Sequence, residues 1–257
     1  MDKQIKVTVL GSGTSQGVPV IGCNCRVCSS DDPRDKRLRT SIMIEVEGKL
    51  FVIDTGPDFR EQMLRYQVKD LTAILYTHEH KDHIAGLDDV RSFNIQLGKY
   101  IDVYAEKRVQ KAIKRDFSYI FAGLKYPGIP KINMHRIENR AFLIEGVSFL
   151  PVRVLHHKLP VFGFRIGNFA YLTDLKTVPD EEKEKLQNLD VLIVDALRIE
   201  EHISHMNLKE ALELIEELSP GKAYLIHLSH AFGLHAEIEE KLPPYIRITY
   251  DGLSFLV

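Results

Sequence analysis

The segment Leu75-Tyr76-Thr77-His78-Glu79-His80-Lys81-Asp82-His83 is the strongest structural signal in the chain. It ends an apolar run and places the imidazoles of His78, His80 and His83 and the carboxylate of Asp82 within six residues. Imidazole nitrogens and carboxylate oxygens are the donors that suit divalent metals such as zinc and manganese. The alternative is a solvated polar turn, but an exposed turn has little structural use for histidine at this density. The motif therefore predicts a metal centre.

The composition is that of an ordinary globular protein. The chain has 257 residues, of which 44% are hydrophobic and 27% charged, and its formal net charge is −2 at pH 7. A protein that binds polyanions is usually more basic, so bulk charge does not support nucleic-acid binding. No stretch approaches the roughly 20 apolar residues of a membrane span. Because residues 1–6 lack the apolar core of a secretory signal, we expect a cytoplasmic protein that does not bind membranes.

All three cysteines lie in the segment Cys23-Asn24-Cys25-Arg26-Val27-Cys28. A disulfide framework is usually spread along a chain and even in number. Three thiols this close together instead indicate a metal-binding knuckle at residues 23–28 that lacks its fourth ligand. A chance cluster of free thiols is the alternative.

The order of apolar runs and helical patterns predicts a single α+β domain over residues 1–257. Strands are expected at 5–10, 41–46, 50–53, 71–76, 147–155, 162–166, 169–173, 191–195, 222–226, 246–250 and 253–257. Helices are expected at 58–66, 106–121 and 208–218. The hairpin-rich start and end imply antiparallel pairing, so two sheets packed face to face with helices outside fit better than one doubly wound sheet. We expect the last two strands to close the sheet.

Three further residues with metal-binding side chains directly follow apolar runs, namely His156, Asp174 and His227. Strand ends in layered folds converge on one edge, where loops carry function. One such residue alone is more often structural than a ligand. Together with the His-x-His-x-Asp-His motif, the three form a candidate ligand set.

These residues resemble the ligand set of the metallo-β-lactamase-fold hydrolases, and Asp54-Thr55-Gly56 is similar to an early aspartate motif of that superfamily. More narrowly, the chain resembles the phosphodiesterase branch typified by the cyclic-phosphate diesterase of the carbon–phosphorus lyase pathway. That resemblance rests on residues 11–19, the cysteine knuckle, residues 156–163 and residues 227–230. It implies a four-layer αββα sandwich, the metallo-β-lactamase fold.

The resemblance also implies two divalent ions, zinc or manganese, in the centre. The ligands of one ion would be His78, His80 and His156, and those of the other would be Asp82, His83 and His227. Asp174 would bridge the two ions, and a hydroxide between them would attack the substrate. The fourth ligand of the cysteine knuckle would be His230, which completes a structural zinc site with Cys23, Cys25 and Cys28.

His205 occupies the place of the general acid proposed for this branch, which protonates the leaving alkoxide. It would act with Asp82 and Asp174 in catalysis. His205 also precedes a predicted helix, so a capping or loop role is the alternative. Weaker candidates for contact with the phosphate are His157, Lys158 and Arg91.

The sequence thus predicts a dinuclear metal-dependent hydrolase of a small or cyclic phosphodiester, and the resemblance suggests a homodimer. One alternative is tRNA 3′-end processing, whose enzymes resemble this chain in all seven ligands but usually carry an extra basic arm. Acyl or lactone hydrolysis and a non-catalytic metal-binding module are further alternatives. Residues 92–140 match the phosphodiesterase branch poorly, so the natural substrate stays open.

Overall fold

The computed structural model describes residues 4–123 and 126–257. The strands in these ranges are β1 (Ile5–Gly11), β2 (Ser41–Val46), β3 (Lys49–Ile53), β4 (Ala73–Leu75), β5 (Ile101–Glu106), β6 (Ile132–Ile137), β7 (Phe142–Ile144), β8 (Val147–His156), β9 (Leu159–Ile166), β10 (Phe169–Leu172), β11 (Val191–Asp195), β12 (Lys222–Ile226), β13 (Ile246–Ile248) and β14 (Ser254–Leu256). The α-helices are α1 (Phe59–Arg65), α2 (Lys81–Ile84), α3 (Arg91–Leu97), α4 (Lys107–Asp116), α5 (Ser118–Phe121), α6 (Asp180–Lys183), α7 (Leu208–Leu218) and α8 (His235–Glu239). Short 3₁₀ helices span Pro33–Asp35, Leu87–Val90, Glu184–Leu186 and His230–Phe232. Within the two described ranges, no helix is both long and apolar enough to cross a membrane.

The strands form two seven-stranded sheets. The first has the order β14-β1-β2-β3-β4-β5-β6, and the second has the order β13-β12-β11-β10-β9-β8-β7. Both sheets are mixed, because β3 to β6 run parallel in the first and β10 to β13 run parallel in the second, while the remaining pairs are antiparallel. The predicted α+β sandwich of two sheets with helices outside is therefore confirmed.

Apolar side chains fill the space between the sheets and the space under the helices. Between the sheets, the rings of Phe51 and Phe149 meet edge to face with centroids 5.1 Å apart. Each fully buried side chain of this size contributes roughly 1.5–3 kcal/mol to folding. On the outer face of the second sheet, α7 buries its apolar stripe, which consists of Ala211, Leu214, Ile215 and Leu218. The 3–4 spacing of these residues explains why this segment folds as an amphipathic helix.

The structure differs from the sequence prediction in the middle and at the end of the chain. Strands β5, β6 and β7 are not predicted, and the helix expected over 106–121 is divided into α4 and α5. Strand β6 buries only Ile137, and β7 has three residues, so neither edge strand has a strong hydrophobic pattern. The last two strands do not close one sheet, because β13 pairs with β12 in the second sheet and β14 pairs with β1 in the first.

Several strands end at the same edge of the sandwich. There the backbone N–H of Phe162 in β9 donates to the carbonyl oxygen of Thr77, just after β4, at 3.1 Å. This hydrogen bond joins the two sheets directly beside the histidine motif, so the edge brings side chains from both halves of the chain together.

Candidate metal centre

Polar residues follow or end six strands at this edge, and they are Asp54, His78, His80, His156, Asp174, Asp195 and His227. Three of them, Asp54, Asp174 and His227, have backbone φ angles of 65°, 53° and 64°. Non-glycine residues rarely adopt this left-handed region, and such conformations cluster at functional sites because the surrounding structure must hold them. The chain therefore turns sharply after each of these strands and directs polar side chains into one place.

Asp174 lies at the middle of the cluster. Its Oδ1 is 3.2 Å from Nε2 of His83 and 3.3 Å from Nε2 of His227, and its Oδ2 is 3.7 Å from Nε2 of His78. Oδ2 of Asp82 is 3.2 Å from Nε2 of His83. The donor atoms form two sets that both contain Asp174, and within each set the atoms lie within 4.8 Å of one another. One set contains Asp82, His83, Asp174 and His227, and the other contains His78, His80 and Asp174.

His156 lies beside these sets without joining the one formed by His78 and His80. Its ring centroid is 5.3 Å from that of His80 and 6.1 Å from that of His78. Its donor atom groups instead with Asp174 and His205. The structure therefore brings all seven predicted ligands to one place, with His156 next to His80.

The donor set fits divalent cations. Nε2 of His78, His83 and His227 is buried in each case and makes no hydrogen bond with the protein. Buried polar atoms are almost always partnered, because an unpartnered one costs about 1–3 kcal/mol. Imidazole nitrogens and carboxylate oxygens that converge in this way are suited to zinc or manganese.

Neighbouring polar groups orient several of these donors. The fully buried carboxylate of Asp54 accepts hydrogen bonds from the Thr77 backbone N–H (2.9 Å), the Thr77 hydroxyl (2.7 Å) and Nδ1 of His83 (2.7 Å). Nδ1 of His156 donates to the carbonyl oxygen of Ser204 at 2.8 Å. A histidine whose Nδ1 carries a proton offers Nε2 to a metal, so these contacts select the tautomer that a metal ligand needs.

Burial and charge act oppositely on two neighbouring histidines. Burial, together with the nearby His83, lowers the pKa of His78 well below its ordinary value, so this ring is neutral. Burial also opposes the charged form of His83, but the carboxylates of Asp174, Asp82 and Asp54 raise the pKa of its ring well above the ordinary value. The cluster therefore carries an excess of negative charge that favours a positive group at its centre.

His205 lies against this cluster on the loop that precedes α7. Its Nδ1 donates to Oδ2 of Asp195 at 2.9 Å, and its ring stacks on that of His227 at 4.8 Å. Burial opposes protonation, but Asp195 raises the pKa of His205 to about 9. Asp195 is not predicted from the sequence, although it ends an apolar run as Asp174 follows one. The fold reveals its role, because β11 lies between β10 and β12 and so places Asp195 between the strand ends that carry Asp174 and His227.

The cysteine knuckle forms a second cluster. The sulfurs of Cys23, Cys25 and Cys28 lie 3.3, 3.5 and 3.5 Å from Nδ1 of His230. The backbone N–H of Cys28 lowers the pKa of the Cys25 thiol to about 6, whereas burial raises the pKa of Cys28 to about 11. Three sulfurs around one imidazole nitrogen fit a closed tetrahedral zinc site.

The three weaker candidates occupy different places. His157 and Lys158 form the exposed turn between β8 and β9, directly after His156. Arg91 instead pairs with Asp88 at 2.9 Å and lines a cavity of about 610 Å³ beside α3. The hairpin turn therefore lies next to a candidate ligand, whereas Arg91 faces a separate cavity.

Comparison with known proteins gives both a family and several relatives. The family model described as the beta-lactamase superfamily domain matches residues 49–228. A protein of Porphyromonas gingivalis named octanoyltransferase is 41% identical over 256 residues, which cover 98% of this chain and 52% of that protein. A ribonuclease Z of Thermosynechococcus vestitus is 27% identical over 166 residues, which cover 63% of this chain and 36% of that protein. The chain thus spans about half the length of the first relative and about a third of the second.

Solved structures extend this similarity to nearly the whole chain. A crystal structure described as a new diphosphatase from the PhnP family has a TM-score of 0.93 and 44% identity, and the match covers 99% of this chain and 97% of that one. Zinc-bound PqqB from Methylobacterium extorquens has a TM-score of 0.80 at 18% identity, with 97% and 99% covered, which shows a shared fold. By its sequence match and its two-sheet architecture, the chain belongs to the beta-lactamase superfamily and has the metallo-β-lactamase fold.

Proposed function

We propose that this protein is a metal-dependent hydrolase that cleaves the P–O bond of a small phosphodiester. The observation that carries the proposal is the position of His205, a protonatable side chain held by Asp195 against two ligand-type clusters that share Asp174. The similarity to a PhnP-family diphosphatase at 44% identity supports phosphate chemistry at this site.

The two donor sets indicate which residues would hold two cations. One cation would be held by His78 and His80, with the neighbouring His156 as a further ligand, and the other by Asp82, His83 and His227. Asp174 belongs to both sets. When bound, two such cations supply a nucleophilic hydroxide at neutral pH and neutralise charge on the phosphate. Their positive charge would outweigh the negative charge of the Asp82 and Asp174 carboxylates, so an anionic diester would be attracted to the site.

The chain itself supplies proton transfer and orientation. With Nδ1 bonded to Asp195, His205 can donate a proton from Nε2 to the leaving oxygen. Asp195 keeps the ring in this orientation and stabilises its charged form. Burial of His205, which is 8% exposed, limits competition from bulk water for the same proton.

The test is hydrolysis of a substrate panel by the protein loaded with zinc or manganese. We expect turnover of bis(4-nitrophenyl) phosphate and of linear or cyclic alkyl phosphodiesters, and loss of turnover in Asp174→Asn. Cleavage of nitrophenyl acyl esters without cleavage of any diester would reject the proposal.

Acyl-ester hydrolysis is a second candidate, because the Porphyromonas gingivalis relative is named octanoyltransferase. The match leaves the other half of that protein uncovered, so the name describes a longer protein than this chain. A medium-chain nitrophenyl ester in the same panel tests this candidate directly. Processing of precursor tRNA, the activity named for the ribonuclease Z relatives, is tested by adding that substrate.

We also propose that Cys23, Cys25, Cys28 and His230 bind one structural zinc ion. This site would connect the loop after β1 to the end of β12, because His230 lies three residues after His227. Elemental analysis tests it as a third metal equivalent. The cytoplasmic location and the homodimer stay predictions.

A further inference from the structure

The loop between β11 and α7, residues 196–207, has a defined shape. At its base, the backbone N–H of Leu208 donates to the carbonyl oxygen of Arg198 at 2.9 Å. At its tip, the guanidinium of Arg198 donates to the carbonyl oxygens of Glu200 (3.3 Å) and Glu201 (2.5 Å). These bonds hold the backbone of the tip against the base of the loop.

The loop contributes two groups to the metal centre. The carbonyl oxygen of Ser204 accepts the hydrogen bond from Nδ1 of His156, and the next residue is His205. A third imidazole, His202, stands beside them, with its ring centroid 5.2 Å from that of His205. Unlike His205, His202 is partly exposed, so it lies at the solvent-facing side of the cluster.

Hydrogen bonding fixes the tautomer of His202. Its Nδ1 lies 3.3 Å from the backbone nitrogen of Ser204 and 3.3 Å from the Ser204 hydroxyl. A backbone N–H can only donate, so Nδ1 accepts and carries no proton. The neutral ring then carries its proton on Nε2. Burial, with a contribution from the nearby His205, lowers the pKa of His202, which favours this neutral form.

We propose that His202 is a substrate-binding residue whose Nε2–H donates a hydrogen bond to a non-bridging oxygen of the phosphodiester. This proposal rests on the proposed function and adds a contact to it. In residues 4–123 and 126–257, Nε2 of His202 has no hydrogen-bond partner, so the donor is free for a ligand. Its neighbour His205 is the proton donor of the proposed reaction, so a phosphate placed for that reaction lies close to His202.

A purely structural role would use only the other side of the ring, where Nδ1 holds Ser204. Two amide substitutions separate these roles. His202→Asn keeps an acceptor near the position of Nδ1 but removes the donor at Nε2. His202→Gln places an amide N–H near the position of Nε2 but removes the acceptor at Nδ1.

The experiment measures the binding of inorganic phosphate by calorimetry, together with kcat and KM for bis(4-nitrophenyl) phosphate, on the metal-loaded wild type and both variants. A hydrogen bond to a charged group contributes about 1.5–3 kcal/mol, which corresponds to a loss of about tenfold or more in affinity. We expect His202→Asn to weaken phosphate binding and raise KM by about tenfold. We expect His202→Gln to stay within about threefold of the wild type, with metal content unchanged in both.

Unchanged phosphate binding in both variants would overturn the proposal, as would a loss in His202→Gln that equals or exceeds the loss in His202→Asn. Failure of the proposed function would look different. A wild-type protein that binds phosphate but cleaves no diester would reject that function, while the phosphate affinities of the two variants would still decide the role of His202.

Discussion

The carboxylate of Asp195 accepts a hydrogen bond from Nδ1 of His205 at 2.9 Å, and its other oxygen lies 3.6 Å from Nδ1 of His227. One fully buried side chain therefore faces both the proposed proton donor and a candidate metal ligand. Asp195 would therefore connect the proposed proton donation by His205 to the proposed metal binding by His227.

Asp195→Asn should lower the pKa of His205, because an amide does not stabilise the charged imidazolium as a carboxylate does. Less of the acid form is then present above neutral pH, so the basic limb of the kcat profile should move to lower pH. Turnover of alkyl diesters at pH 8 should fall by about 10²-fold. The control is Asp190→Asn, because Asp190 is an exposed carboxylate directly before β11, the strand that Asp195 ends. A pH profile unchanged from the wild type would contradict this role.

His205→Ala should keep its metals and lose turnover in a manner that depends on the leaving group. An alkoxide needs a proton as it leaves, so we expect a loss of about 10²–10⁴-fold with alkyl diesters. Nitrophenolate leaves without a proton, so bis(4-nitrophenyl) phosphate should lose much less. The matched control is His135→Ala, because His135 is a partly exposed histidine on β6 whose ring also contacts an aspartate, Asp102. Equal losses on both substrates would count against general-acid catalysis.

Cys25→Ser should remove one zinc equivalent and lower the melting temperature while leaving the two cations of the candidate centre. Loss of one thiolate opens a closed tetrahedral site, and zinc binding to such sites contributes directly to folding. Elemental analysis and calorimetry measure both effects. Ser29→Ala, an exposed neighbour that offers no thiol, is the control. Wild-type zinc content in Cys25→Ser would refute the structural site.

Gly56→Ala should disturb the metal centre through backbone contact. A Cβ atom at Gly56 would lie 2.1 Å from the carbonyl oxygen of Asp82, which lies in α2 next to His83. Because that neighbour is backbone, α2 must shift, and overpacking of this kind costs about 1–3 kcal/mol. We expect a lower melting temperature and weaker binding of manganese or zinc, measured by titration of the metal-free protein. Wild-type values for both would show that α2 accommodates the methyl group.

The sequence predicts the donor atoms of the site better than their surroundings. His78, His80, Asp82 and His83 stand out because such density of histidine and carboxylate has few other uses. Asp195 does not stand out, because its role depends on the imidazole rings of His205 and His227, which come from other parts of the chain. The edge strand β6 is missed for a different reason, namely that its exposed polar face weakens the hydrophobic pattern. A dense local motif can thus be predicted from the sequence, whereas the neighbours of a strand and the edge strands of a sheet are set by tertiary contacts.

The candidate metal centre takes its donors from both halves of the chain. The two halves are also joined at the far end of the chain, where β14 pairs with β1 of the first sheet. The first sheet contributes the donors that follow β4, namely His78, Asp82 and His83. The second sheet contributes Asp174 after β10 and His227 after β12. Both donor sets combine residues from the two halves, so a bound cation would serve as a reversible cross-link between the halves as well as a reagent. Chelation would remove that cross-link and leave direct contacts, such as the hydrogen bond from the Phe162 N–H to the Thr77 carbonyl oxygen, to hold the two halves together.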